Sequence, residues 1–267
     1  CPNWPYDCSE DGQTITVAVG QSIQQAIDVV PVGGTIEIAA GNFTPGQVLD
    51  TQGKALSLVG MIGEDGLPTT IIDGQNSHRV LQCLIGEGSD TIFENLIITN
   101  GSAEYGAGMM IEELSNPTLK NCTFLTNFAS ESGGGLRCEN NSPTLIECRF
   151  IENTGVNAGG GLYNAGSSPT LLNCIFVENT TNRNGGGIAN DVNAPVLDGC
   201  VFINNSANEY GGAIHNILSN PSLTDCRISD NSAALAAGGI YNDSGSNSTL
   251  TFTVVCGNST DQIIGGF

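Results

Sequence analysis

Apolar and polar positions recur in one order from Asn116 to Asn242: a short apolar strand, a Cys, a Phe, an Asn and a glycine-rich run. Cys122, Cys148, Cys174, Cys200 and Cys226 stand 26 residues apart throughout. Leu119, Leu145, Leu171, Leu197 and Leu223 keep the same register, as do Pro117, Pro143, Pro169, Pro195 and Pro221. Phe124, Phe150, Phe176 and Phe202 follow, with Ile228 as the fifth, and then Asn127, Asn153, Asn179, Asn205 and Asn231. A fixed period of this length marks a solenoid, whose repeats pack only on their neighbours.

One coil follows from strand alternation. In SPTLLNCIFVEN, Leu171, Cys174 and Phe176 point inward, with Asn173 and Asn179 at two corners. A loop of about five residues leads to Gly185–Gly187, and Ile188 and Asn190 point inward on a third strand. Coils stacked about 4.8 Å apart turn the Leu, Cys, Phe and Ile positions into core columns. Asn164, Asn190, Asn216 and Asn242 become a ladder of amides, with Cys83 and Cys138 in that column on earlier coils.

The ends depart from the period. Residues 1–12 read as a loop in which Cys1 and Cys8 form a disulfide staple. Gln21–Val30 has helical apolar spacing, Ser22 as its cap and Pro31 as its stop, and is expected to cover the first coil. Irregular coils fill 13–90, regular coils 91–242 and a drifting coil 243–267, where Leu250 and Cys256 are out of register by one and four positions. No capping helix follows that coil, so the chain is expected to continue or to meet another subunit, and head-to-tail stacking gives a filament.

Two resemblances attach to these residues. VGGTIEIAAGNFT, KALSLVG, TTIIDG and IFENLIITNG resemble the N-terminal half of secreted right-handed parallel β-helix proteins. The SPTLxxCxFxxN…GGGIxN repeat resembles that of the polymorphic outer membrane protein type. Together they cover nearly the whole chain and imply an all-β, right-handed parallel β-helix. That architecture hosts lyases, hydrolases, epimerases, adhesins and spacers, so the resemblance does not choose among them.

Charge narrows the partners. Asp and Glu outnumber Lys and Arg by 27 to 7, a net charge of -20, which disfavours nucleic acid and anionic lipid and favours cations, calcium above all. No run of 18 apolar residues is present, so membrane insertion is not expected. Ten cysteines point to an oxidising compartment, and the start at Cys1 to a processed product or a lipid-modified cysteine. The Cys column reads either as buried thiols or as vertical disulfides, since the coil spacing falls within disulfide reach.

Four surface features could carry chemistry. Glu152, Glu178 and Asp230 share an acidic column, open to calcium or merely solvated. The outward residues of the glycine-run strand are Arg137 and Glu139, Tyr163, Asp191, His215, and Tyr241 with Asp243. In the β-helix lyases and hydrolases that the chain resembles, the cleft lies on the corresponding strand, and Tyr163 and Tyr241 could stack on sugars. Against catalysis, Glu139 and Asp191 lie two coils apart, and His78 and His215 share no column and read as surface residues. Leu125, Ile151, Val177 and Ile203, with Ile175 and Val201, form an apolar stripe. In a eukaryotic source, Asn42, Asn140, Asn204 and Asn247 are glycosylation sites.

The resulting expectation is a secreted or cell-surface structural or adhesive module, without catalysis, that self-associates end to end or laterally. The alternative is a polysaccharide-binding or polysaccharide-cleaving protein, a lyase or hydrolase, using the face from Arg137 to Asp243.

Overall fold

The computed structural model describes residues 6–266. Its strands form four sheets along the sides of one coil, of eleven, nine, six and nine strands. Apart from Asp7–Cys8, which pairs antiparallel with Thr14–Val17, the paired strands run parallel. A regular coil runs Thr170–Leu172, Ile175–Val177, Thr180–Thr181 and Ile188–Asp191 before the next begins at Val196–Asp198. The expected loop after the second corner thus contains a short strand of its own, because Thr180 and Thr181 pair with Ser206 and Ala207 one period on.

The register holds the period. Leu145, Leu171 and Leu197 pair in succession, as do Phe150, Phe176 and Phe202. The rings of Phe124, Phe150, Phe176 and Phe202 stack with centroids 4.8, 4.6 and 4.7 Å apart, the coil spacing itself. Gly161 and Gly187 belong to this packing: a Cβ on Gly161 would lie 2.9 Å from the Phe176 ring, so only glycine admits the ring there. Earlier coils are longer, with Leu58 paired to Phe93 and Leu81 to Met109. In the last coil Leu223 pairs with Leu250, one position late.

Each second corner is made by the residue before the repeated Asn. Thr126, Glu152, Glu178, Asn204 and Asp230 take left-handed φ values of 51 to 61°, while Asn179, expected at the corner, is turned inside. The reason is a second amide ladder. Asn127, Asn153, Asn179, Asn205 and Asn231 each donate Nδ2 to the next Oδ1 at 2.9 Å, ending on Asn258. The other Nδ2 hydrogen goes to a carbonyl of the preceding coil, as from Asn179 to Phe150 at 2.9 Å. Each Oδ1 also accepts the backbone N–H of the preceding ladder residue. These bonds offset a left-handed corner that costs a non-glycine residue about 1–2 kcal/mol. The predicted ladder on the glycine-run strand also forms, Asn164 to Asn190 to Asn216 to Asn242, with Cys138 and Cys83 further along its column and Ile111 between them.

The Cys column carries thiols. Cys148 donates Sγ to Leu119 O at 3.6 Å and to Ile146 O at 3.5 Å, and Cys174 and Cys200 repeat the pattern. Burial pushes the Cys122 and Cys138 thiols above the ordinary thiol range. Of the two readings of the column the buried thiols hold and the vertical disulfides do not: Cys83, Cys122, Cys138, Cys148, Cys174, Cys200, Cys226 and Cys256 are free, and no disulfide joins two described cysteines. Cys1, the expected partner of Cys8, lies outside the described residues. Cys256 pairs with Ser229 and is exposed, and Thr253 meets Cys226 in its place.

The predicted helix spans Ile23–Val29, capped by the Ser22 side chain, which accepts from Gln25 N at 3.2 Å. Ile23, Ala26 and Ile27 are buried against the first coils. Lys54 closes the other end by donating to the carbonyls of Ile27, Asp28 and Val30. The stripe of Leu125, Ile151, Val177 and Ile203 is half-buried, each side chain flanked by its counterparts on adjacent coils. No described helix is long and apolar enough to cross a membrane.

Candidate functional site

The glycine-run strands form one continuous sheet from Leu49–Asp50 to Ile263–Ile264. Alternation sends Leu136, Leu162 and Ile188 into the core and turns their neighbours outward. The first outward row is, by register, Asp50, Gln82, Met110, Arg137, Tyr163, Ala189, His215 and Tyr241. Glu139, Ala165, Asp191 and Ile217 form a second row, with Glu112 and Asp243 extending it. Beside the first row runs a column from the short-strand sheet: Tyr105, Ser132, Ala158, Asn184 and Tyr210.

Arg137 is the best-held side chain of this face. Its guanidinium lies 4.5 Å from the Tyr105 ring centroid and 4.9 Å from that of Tyr163. Its Nη2 pairs with Glu139 Oε2 at 2.8 Å, and its Nη1 donates to Ser132 Oγ at 2.7 Å. Tyr163 Oη donates in turn to Asp191 Oδ2 at 3.4 Å, while burial first and Asp191 second raise the phenol pKa.

Toward the N-terminus the face continues through residues that the period did not reveal. Arg79 donates to the carbonyls of Tyr105 and Gly106 and to Gln82 Oε1, and Gln82 donates to Asp50 Oδ2 at 2.7 Å. Glu112 and Glu139 stand on adjacent coils and line one open cleft of about 180 Å³ with Glu113, Leu114 and Asn140. Burial, and then the Glu139 charge, raise the Glu112 carboxyl pKa, against Arg79 and Arg137. Coils of unequal length concealed Arg79, Gln82 and Glu112. Tyr105 and Tyr210 did leave a signal, since each directly precedes a glycine of the glycine-rich run.

At the other end, His215 differs from the surface residue expected. It is 3% exposed, its ring centroid is 5.5 Å from that of Tyr241 and 6.4 Å from that of Tyr210, and Nδ1 is buried without a hydrogen-bond partner. Burial lowers its pKa to about 4, against the pull of Asp243, so the imidazole is neutral at neutral pH. The structure thus gathers Arg137, Glu139, Tyr163 and Asp191 into one bonded group and His215 with Tyr241 into another, while Asp243 extends the carboxylate row.

The remaining sites lie elsewhere. Glu152 and Glu178 are exposed corner residues on adjacent coils, and Asn204 separates Glu178 from Asp230. Among the described residues no group of three or more His, Cys, Asp or Glu is placed to hold a metal ion. Asn42, Asn140, Asn204 and Asn247 are all exposed.

The fold has solved counterparts. A pectin methylesterase from carrot superposes with a TM-score of 0.57 at 14% identity, over 97% of this chain and 88% of that one. A pectin methylesterase from Aspergillus niger superposes with a TM-score of 0.53 at 12% identity, over 97% and 92%. At these identities the likeness is one of fold. It corrects the expectation of a chain without catalysis only this far: these two structures share the coil almost end to end and are of enzymes, so the coil gives no ground for expecting an inert spacer. No curated protein sequence matches the chain significantly. The profile described as "Right handed beta helix region" matches residues 72–218, more than half of the chain, and on that match the chain belongs to the right-handed β-helix family.

Proposed function

We propose that this protein binds and acts on a polysaccharide along the outward face from Asp50 to Tyr241. The observation that carries the reading is the Tyr105–Arg137–Tyr163 group, with His215 and Tyr241 beyond Ala189 on the row of Arg137 and Tyr163, and Glu112 and Glu139 in the adjoining cleft. Tyr163 and Tyr241, three coils apart on one row, offer ring surface to a sugar chain laid along the sheet, and the carboxylates and amides suit its hydroxyls. Glu112, shifted toward its protonated form beside the ion-paired Glu139, has the divided environments that acid–base chemistry on a glycosidic bond uses. The fold shared with two carbohydrate-modifying enzymes supports the same reading.

The test is a glycan array on the wild type and on Tyr163→Ala and Tyr241→Ala, followed by lyase and hydrolase assays on the polymers that bind. Retained binding in both variants, with circular dichroism unchanged, would falsify the reading. An extracellular or cell-surface location accords with it. The likeness of the repeat to the polymorphic outer membrane protein type rests on the motif alone and is carried as a proposal. So is self-association, to be sought at the exposed Phe252 and Val254, and so is calcium between Glu152 and Glu178.

A further inference from the structure

We infer that the face selects a glycan without acidic groups and turns uronate polymers away; the inference rests on the reading of this face as a polysaccharide groove. It follows from how the face spends its charges. Arg137 and Arg79 are its cations, and all three guanidinium nitrogens of each already donate within the protein. Arg137 uses Nε and Nη2 on Glu139 and Nη1 on Ser132, its guanidinium lies over the Tyr105 and Tyr163 rings, and its side chain is 14% exposed. Arg79 uses Nε and Nη2 on carbonyls and Nη1 on Gln82. A guanidinium pairs bidentately with a ligand carboxylate only where two neighbouring N–H groups are both unengaged and accessible.

The remaining groups reinforce this. His215 adds no charge, because burial keeps it neutral down to a pH of about 4. Arg183, beside Asn184 of the flanking column, pairs with Glu209 at 3.4 Å. Against these stand Asp50, Glu112, Glu139, Asp191 and Asp243 on the face itself, within a chain of net charge -20. The sum is a negative potential along the sheet, with hydroxyl-bonding groups and tyrosine rings as the attractive elements.

The experiment is isothermal titration of the full chain with hexagalacturonate, its methyl ester, the xylan and mannan hexamers and a chitosan hexamer. We expect one or more of the non-acidic hexamers to bind, and hexagalacturonate to bind about tenfold or more weaker than its own methyl ester. The gap between those two should be wide at about 0.01 M salt and narrow toward about 1 M, as the Debye length falls from about 30 to about 3 Å. Asp191→Asn with Asp243→Asn should narrow it at low salt. Hexagalacturonate binding as well as or better than the ester, or discrimination untouched by salt and by the double variant, overturns the inference and leaves the groove standing. Failure of every hexamer to bind overturns the groove and the inference with it.

Discussion

The Arg137 guanidinium lies over Tyr105, its carbon 4.5 Å from the ring centroid, although the tyrosine belongs to the preceding coil and to a different sheet. The contact exists because the fourth-side strands Ser102–Tyr105 and Phe128–Ser132 end on the pair Tyr105 and Ser132, next to the first outward row. Tyr163, one coil on, meets the same guanidinium at 4.9 Å from its own ring centroid. A single cation therefore ties three coils together beneath a surface that presents two rings.

Removing the second ring should separate binding from folding. Tyr163→Ala deletes one cation–π contact, about 0.5–2 kcal/mol, and the side chain is only half-buried, so the melting temperature should fall by a few degrees at most. Glycan affinity should drop about tenfold or more. Titration and thermal denaturation of the same sample check both.

The Phe column should be the more sensitive core. Phe176→Ala removes the middle of a ring stack buried on all sides and should cost about 3–5 kcal/mol. Leu125→Ala, on the half-buried outer side of the same sheet, should cost less than half as much. Urea denaturation distinguishes them.

The inner asparagine and the corner before it should behave oppositely. Asn179→Ala removes the acceptor of the Asn153 backbone N–H and of one Asn153 Nδ2 hydrogen, and each orphaned donor inside the coil costs about 1–3 kcal/mol. Glu178→Gly relieves a left-handed φ of 56° at an exposed corner and should be neutral or stabilising. Equal destabilisation by the two would show that the ladder does not hold the corner.

Glu87 gives the acid response. Burial would raise its pKa, but Ser115, Thr51 and the Ile85 N–H all donate to the carboxylate and together hold it below the usual carboxylate value. A folded pKa below the unfolded one contributes stability above the unfolded value, about 4.3, that is lost as pH falls through the folded value. Glu87→Gln should be less stable than wild type at pH 7, and the difference should shrink on acidification below about pH 4. Melting curves at pH 3 and pH 7 read it.

The thiols should sort by burial. Cys256 should react with a thiol reagent in the native state, whereas Cys122, Cys148, Cys174, Cys200 and Cys226 should react only on unfolding, as read by mass mapping of labelled peptides.

Much of this architecture was legible before any coordinates because the repeat is strict. Leu, Cys and Phe fall in columns only if the chain winds once per period, and the Asn164–Asn242 ladder follows from the same register. Asn179 was misplaced because a left-handed corner looks alike in sequence whether Glu178 or Asn179 occupies it. Only the interior hydrogen bonds decide. Arg137, Tyr163 and Tyr241 were found as outward neighbours, but Arg79, Gln82 and Glu112 sit on longer coils that the period cannot align. His215 differs from the surface residue that its place in the row suggests because the rings of Tyr241 and Tyr210 both lie against it, and Tyr210 belongs to the fourth side, which the period does not resolve.

Saturation-transfer difference NMR with a non-acidic hexasaccharide from the titrations tests the groove most directly. We predict saturation of the sugar ring protons by the wild type and its loss in the folded double variant Tyr163→Ala with Tyr241→Ala. Undiminished saturation without those rings, or none from the wild type, would contradict a polysaccharide site on this face.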